Sequence, residues 1–359
     1  VNRPPGDSDD SVAPSGTFPR VVITSARTVA LERVNLPGPR RLGPHEVVVR
    51  LTTSLISPGT ELARYRGAVV RGSTLGHGEQ SYPCYPGYAA VGVVTAAGPR
   101  CAHRPGVRVL VHAPHQAMVR VDTRQRLCVA LPESLGDQAA PFARLAQVGA
   151  ISLRLCHARP GDLVTVVGLG LVGNLAAQLA ASVGYEVVGV DPSPARRAQA
   201  VECGLRCVSR PEELSADRPG AAAVLECSGR PEAVGAACAL AAPRGEVFLV
   251  GAPWSGNGEM PASPILGAVF ERFQTLRSGW EWQLPLYGAA PPGSIEACTL
   301  DALSRLADGR LRSGPLLTDV VGPHDAADAY HRLDTDPDHH LGVVIDWGQR
   351  QVADVPARS

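Results

Sequence analysis

The chain has 359 residues, enough for two domains with sizeable cores. Its 34 basic residues balance 34 acidic ones, which argues against a nucleic acid or another polyanion as partner, and no apolar run is long enough to span a bilayer. Every basic residue is arginine, so Schiff-base chemistry through a lysine is excluded.

In chain order, residues 1–18 are rich in Pro, Ser, Asp and Gly and read as a disordered tail; 349–359 read as a second loose end. Val21 to Ala30 and Glu46 to Thr53 read as strands separated by a Pro/Gly-rich turn. Residues 57–90 carry glycines and aromatics, and Arg66 to Pro86 shows little periodicity, so a long loop is expected there. Val91 to Ala96, Val107 to His112, Met118 to Val121 and Arg126 to Ala130 are strand candidates, which makes this first part β-rich. Residues 137–157 form an apolar helical pattern.

Leu163 to Val167 is then a β-branched apolar run, as a buried parallel strand should be. Gly168-x-Gly170-x-x-Gly173 follows at once, a helix runs on to Gly184, and Val187 to Asp191 reads as a second strand ending in an acid. The first glycine permits a tight turn, the second lets a pyrophosphate approach the backbone, and the third lets helix and strand pack closely. Gly168, Gly170, Leu171, Val172 and Gly173 are therefore expected to hold phosphates at a helix start. Asp191 is placed to accept from ribose hydroxyls, which favours NAD over NADP; Arg196 and Arg197 nearby leave room for NADP.

The alternation continues with a helix from Pro194 to Cys203, a strand from Ala221 to Leu225, a helix from Pro231 to Ala241 and a strand from Glu246 to Val250. Such alternation makes an α/β, doubly wound parallel sheet of the Rossmann kind. Its carboxyl edge should place Cys227, Ser228, Gly251 and Ala252 beside the cofactor. Gln274 to Gly279 is a candidate last strand, Leu300 to Gly309 a helix, and Val343 to Asp346 a strand returning to the first domain. The nine cysteines are scattered without a C-x-x-C pair, and no signal-like segment is read at the start, so reduced thiols and a cytoplasmic protein are expected.

This order of parts, with Ser57-Pro-Gly-Thr-Glu61, Tyr65-x-Gly67 and Pro86-Gly-Tyr88 ahead of the glycine turn, resembles the medium-chain dehydrogenase/reductase superfamily over about residues 20–348. The resemblance implies a GroES-like catalytic domain (19–150 and 286–348) beside a Rossmann domain (151–285), a small-molecule substrate in the cleft, and a homodimer or homotetramer. Zinc-dependent members carry ligands where this chain has Pro58, Tyr88 and Ala143, and their structural metal lobe is missing between Val111 and Pro114. No zinc and no other metal is therefore expected. The closing Val344-Ile-Asp-Trp347 adds a resemblance to bacteriochlorophyllide hydroxyethyl dehydrogenases and zinc-less sugar or cyclitol dehydrogenases.

Without a metal, hydrogen bonds and a general base must handle the hydroxyl proton of an alcohol. Thr60 aligns with the family's proton-relay hydroxyl; its bland alternative is a turn threonine. His115 and His112 lie on a segment expected to face the cleft and are candidate bases. Glu61 is a base or a pairing acid, and Tyr88 a hydrogen-bond donor to substrate or an ordinary packed ring. Ser57, Trp280 and Glu281 are candidate pocket residues, the tryptophan face suiting a polar ring. The expected function is interconversion of a secondary alcohol and a ketone on a sugar, aminocyclitol or similar ring. The alternatives are a zinc-free NADPH-dependent quinone or enone reductase and a non-catalytic dinucleotide-binding protein.

Overall fold

The computed structural model describes residues 16–36, 42–68, 81–214, 220–252 and 262–348. Two large sheets organise them. The first is parallel throughout and runs, edge to edge, Arg206–Val208, Glu186–Val190, Leu163–Val167, Ala221–Glu226, Ala241–Leu249, Thr275–Ser278. Counted along the chain this is the order 3-2-1-4-5-6, that of a dinucleotide-binding Rossmann sheet. The apolar runs 163–167 and 221–225 lie at its centre, buried on both faces.

The second sheet has seven strands and is mostly antiparallel. Glu46–Leu55 pairs with Ala90–Ala97 on one side and, toward its start, with Met118–Asp122. Gly342–Asp346 closes the other side against residues 53–55, so the late strand does return to the first part of the chain. Leu317–Val321 adds a parallel edge to it. Helix Phe142–Leu155 joins the sheets. It packs on helix Leu171–Ser182, where a Cβ on Gly149 would lie 2.5 Å from that of Ala176, and on helix Ile295–Ala307. One apolar cluster runs from Leu55 and Val91 through this helix to Val164 and Phe248.

Several expectations give way. Residues 21–30 are not one strand: Gly16–Ser25 and Thr28–Leu36 form a hairpin, with Arg27 turning at φ +59°. The tail read to residue 18 ends earlier, because Gly16–Phe18 already pair with 34–36; 1–15 and 349–359 lie outside the described residues. The long loop from Arg66 is preceded by a helix, Thr60–Arg66, and its stretch 69–80 also lies outside them. Helices Ala262–Glu271 and Ala326–Thr335 and strands Arg206–Val208 and Leu317–Val321 are additional elements.

Candidate active site

Three turns meet at the carboxyl edge of the parallel sheet. Gly168 sits at φ +89°, and a Cβ there would lie 2.7 Å from the Ser228 nitrogen. A Cβ on Gly251 would collide with the nitrogen of Gly229, so the 227–229 and 251–252 turns also touch. Side-chain volume at Gly173 would strike the Gly168 carbonyl, which is why helix Leu171–Ser182 can close so tightly on its strand. Gly170 faces open space, no side chain caps the helix, and its first internal bond is Asn174 N–H to Gly170 O at 2.8 Å. The N–H groups of Leu171, Val172 and Gly173 are thus left at the positive end of the helix dipole for an anion. Asp191 is buried at the end of the second strand, accepting from Leu169 N at 2.7 Å and Ser193 N at 2.8 Å. Each of its oxygens keeps a further acceptor position. Arg196 turns its guanidinium to the Pro337 carbonyl, and Arg197 bonds the carbonyls of Asp191 and Pro192. The cradle fits the pyrophosphate and ribose of a dinucleotide. Cys227, beside it, is inert as a nucleophile, since burial pushes its thiol well above the usual range.

Beyond the last strand, Gly279 N–H bonds Leu249 O at 2.8 Å and the chain turns through Trp280 into Glu281. Glu281 does not face solvent. It receives both terminal nitrogens of Arg144, at 2.6 and 3.0 Å, in a buried fork. Arg144 also donates to the Gln147 side-chain oxygen, while Arg144 Nε and Gln147 Nε2 have no partner. The guanidinium carbon stands 4.9 Å from the ring centre of Tyr88. Tyr88 shares a 2.8 Å hydrogen bond with Ser57 Oγ, and burial pushes its hydroxyl up to about 12. Its ring is 5.9 Å from that of His112, which is 6.4 Å from that of Trp282. Burial, then the positive charge of Arg144, lowers His112 to about 3, so it is neutral at physiological pH and too weak a base to take a proton there.

His115 is not in this row. It is 0% exposed, with Nδ1 2.8 Å from Ser54 Oγ and Nε2 2.9 Å from Glu61 Oε2. The reading of His115 as a cleft-facing base therefore fails: both ring nitrogens are committed inside the protein. Glu61 is equally buried. It accepts from the Tyr330 hydroxyl and from Ser57 N at 3.1 Å as well, so of its two expected roles the structure favours pairing, with a histidine and a tyrosine instead of an arginine. Trp347 Nε1 donates to Ser54 Oγ at 2.9 Å and ties the returning strand to the same network. Thr60 opens its helix half-buried, and its hydroxyl has no partner among the described residues.

Residues 172–278 match the zinc-binding dehydrogenase family. The chain is 27% identical over 222 residues to a 2-dehydro-3-deoxy-L-galactonate 5-dehydrogenase of Pseudoalteromonas atlantica, covering 60% of each chain. It is 26% identical over 194 residues to an alcohol dehydrogenase of Geobacillus stearothermophilus, covering 44% of this chain and 58% of that one. It thus spans about three fifths of each relative's length. Among solved structures, galactitol-1-phosphate dehydrogenase from Escherichia coli superposes with a TM-score of 0.74 at 20% identity, over 91% of this chain and 99% of that one. The parallel-sheet segment is thus similar to zinc-binding dehydrogenases, and the chain shares its fold with solved dehydrogenase structures.

The matched segment covers most of the parallel sheet and excludes Pro58, Tyr88 and Ala143. Zinc does not fit the residues at those places. Proline and alanine offer no donor, a phenol alone does not hold Zn²⁺, and the Arg144 cation beside Tyr88 would repel it. Arg144 and Gln147 escaped the sequence reading. They are a charged and an amide residue three apart in an otherwise apolar helical pattern, which marks buried polar groups worth asking about.

Proposed function

We propose that this protein is a zinc-independent, cytoplasmic, nicotinamide-dependent dehydrogenase of a secondary alcohol on a polar ring, with NAD as the preferred cofactor and with domains divided as the sequence suggests. One observation carries the reading: the phosphate cradle at Gly168–Gly173 and Glu281, which holds Arg144 beside Tyr88, both follow strands of the parallel sheet at their carboxyl ends. The cradle's N–H groups and Asp191 would hold the dinucleotide, which supplies a hydride acceptor or donor. Tyr88 is the group suited to the hydroxyl proton; Thr60 opens the helix that follows its hydrogen-bond partner Ser57. The row of Tyr88, His112 and Trp282 offers a ring substrate aromatic faces. Among the described residues no helix is long and apolar enough to cross a membrane.

Reduction of a conjugated C=C bond is the second reading, supported by a site whose proton donor is a phenol. Nucleotide absorbance with a chelator present separates the two, using cyclic polyols with NAD⁺ against enones with NADPH. Polyol turnover supports the proposal; turnover of enones alone replaces it with the second reading. Activity lost to the chelator together with stoichiometric zinc refutes the metal-free site.

A further inference from the structure

The Tyr88 hydroxyl is the group of this cluster suited to serve a substrate oxygen, and it stands beside the Arg144 cation. Arg144 is 1% exposed, on a helix whose other inward residues are mostly apolar. A buried cation is costly unless paired, and Glu281 supplies the pair. The pairing is incomplete by geometry: Nε has no partner, nor has the adjacent Gln147 amide nitrogen. A guanidinium held this firmly 4.9 Å from a phenol ring acts on any charge that develops at the phenol oxygen.

We propose that Arg144 is a positioning residue that takes over, for Tyr88, the electrostatic work a metal cation does elsewhere: it stabilises the phenolate left when Tyr88 gives its proton to the substrate oxygen. A bound nicotinamide would supply a hydride to the substrate's carbonyl carbon or accept one from the alcohol carbon. In the reducing direction the C=O π pair would move onto oxygen, that oxygen would form a bond to the Tyr88 proton as the phenolic O–H bond breaks, and the phenolate would regain a proton from water. In the oxidising direction the same phenolate would remove the hydroxyl proton, the O–H pair becoming the C=O π bond as the hydride goes to the oxidised nicotinamide. Glu281 has two effects: it holds the guanidinium in place, and its own negative charge opposes phenolate formation. With Ser57 donating across its 2.8 Å bond to the phenol oxygen, the phenol proton is left for the substrate.

This inference rests on the dehydrogenase reading, and its test separates the two. Position 88 is loaded with 3,5-difluorotyrosine, whose phenol ionises at milder pH, and its titration is followed by ¹⁹F NMR without substrate. Arg144→Met is expected to raise the midpoint by about one pH unit, a tenfold change in the ionisation constant. Glu281→Gln, nearly isosteric and still able to bond Arg144, is expected to lower it. Arg144→Lys keeps the charge and is expected to hold the midpoint near wild type even where Arg144→Met folds poorly. A midpoint unmoved by both the Met and the Gln variants overturns the proposal. In turnover, Arg144→Met and Tyr88→Phe should each lower kcat more than they alter KM, and their combination should be little worse than Tyr88→Phe alone. Wild-type turnover with full activity in Arg144→Met also overturns it. A wild type that binds nucleotide and turns over neither polyol nor ketone refutes the dehydrogenase reading, while the fluorine titration still decides the electrostatic claim.

Discussion

The imidazole of His115 is held at both ends, and Glu61 beyond it is held by three donors, so these two side chains act as one buried polar unit. Replacing His115 by Ala leaves a buried carboxylate one partner short and should cost about 1–3 kcal/mol of stability, read as a lowered urea midpoint. Nucleotide affinity, which depends on the glycine cradle, should stay within about twofold of wild type. His112 makes a different prediction. Folded, it takes a proton only near pH 3, against about 6.5 when unfolded. Between those values the unfolded chain binds more protons, so stability rises with pH through this window and is fully present above it. Wild type should therefore lose more stability between pH 7 and pH 5 than His112→Gln does, by on the order of 1 kcal/mol; parallel losses in urea titrations at the two pH values would sink the assignment.

At the scale of elements, helix Phe142–Leu155 carries Arg144 at one end and Gly149 in its middle, where it lies against Ala176 of helix Leu171–Ser182. Gly149→Leu must push the two helices apart. It should cost about 1–3 kcal/mol and weaken nucleotide binding as well, since both halves of the site hang on this contact; isothermal titration beside a thermal melt would show the two effects together. The central strands could be read directly, because a strand buried on both faces is an uninterrupted apolar run, and so could the glycine turn, since each glycine there meets backbone or open space. The hairpin at Arg27 could not, because Ser25-Ala-Arg-Thr28 contains no glycine, proline or asparagine to announce a turn. Helix Ala262–Glu271 places apolar residues such as Leu266 and Phe270 on its exposed surface, so its apolar positions do not mark a buried face. His115 was misplaced for a related reason: a histidine beside a cleft-lining segment and one tied behind it read alike until the partners on residues 54, 61 and 330 are in place.

For the whole molecule, Leu266, Phe270 and Phe273 are exposed beside Thr275–Ser278, the outermost strand of the parallel sheet, with Phe270 83% exposed. Such a surface is expected to be covered by a second copy, in line with the homodimer or homotetramer that the family resemblance implies. Sedimentation velocity should find a dimer at micromolar concentration and at least a tenfold weaker one in Phe270→Glu; a monomeric wild type would end that expectation. The order in which the chain leaves the ribosome adds a consequence. The six parallel strands lie in one stretch, 163–278, and can assemble as soon as that stretch has emerged. The other sheet begins at Glu46 but lacks its Gly342–Asp346 strand until residues up to 346 have been made. Its early strands must wait for several hundred residues of synthesis with an open edge toward that missing strand. The nascent chain is accordingly most prone to stray pairing in its first half, and a chaperone that shields residues 46–55 should raise the yield of folded protein more than one acting on the later half.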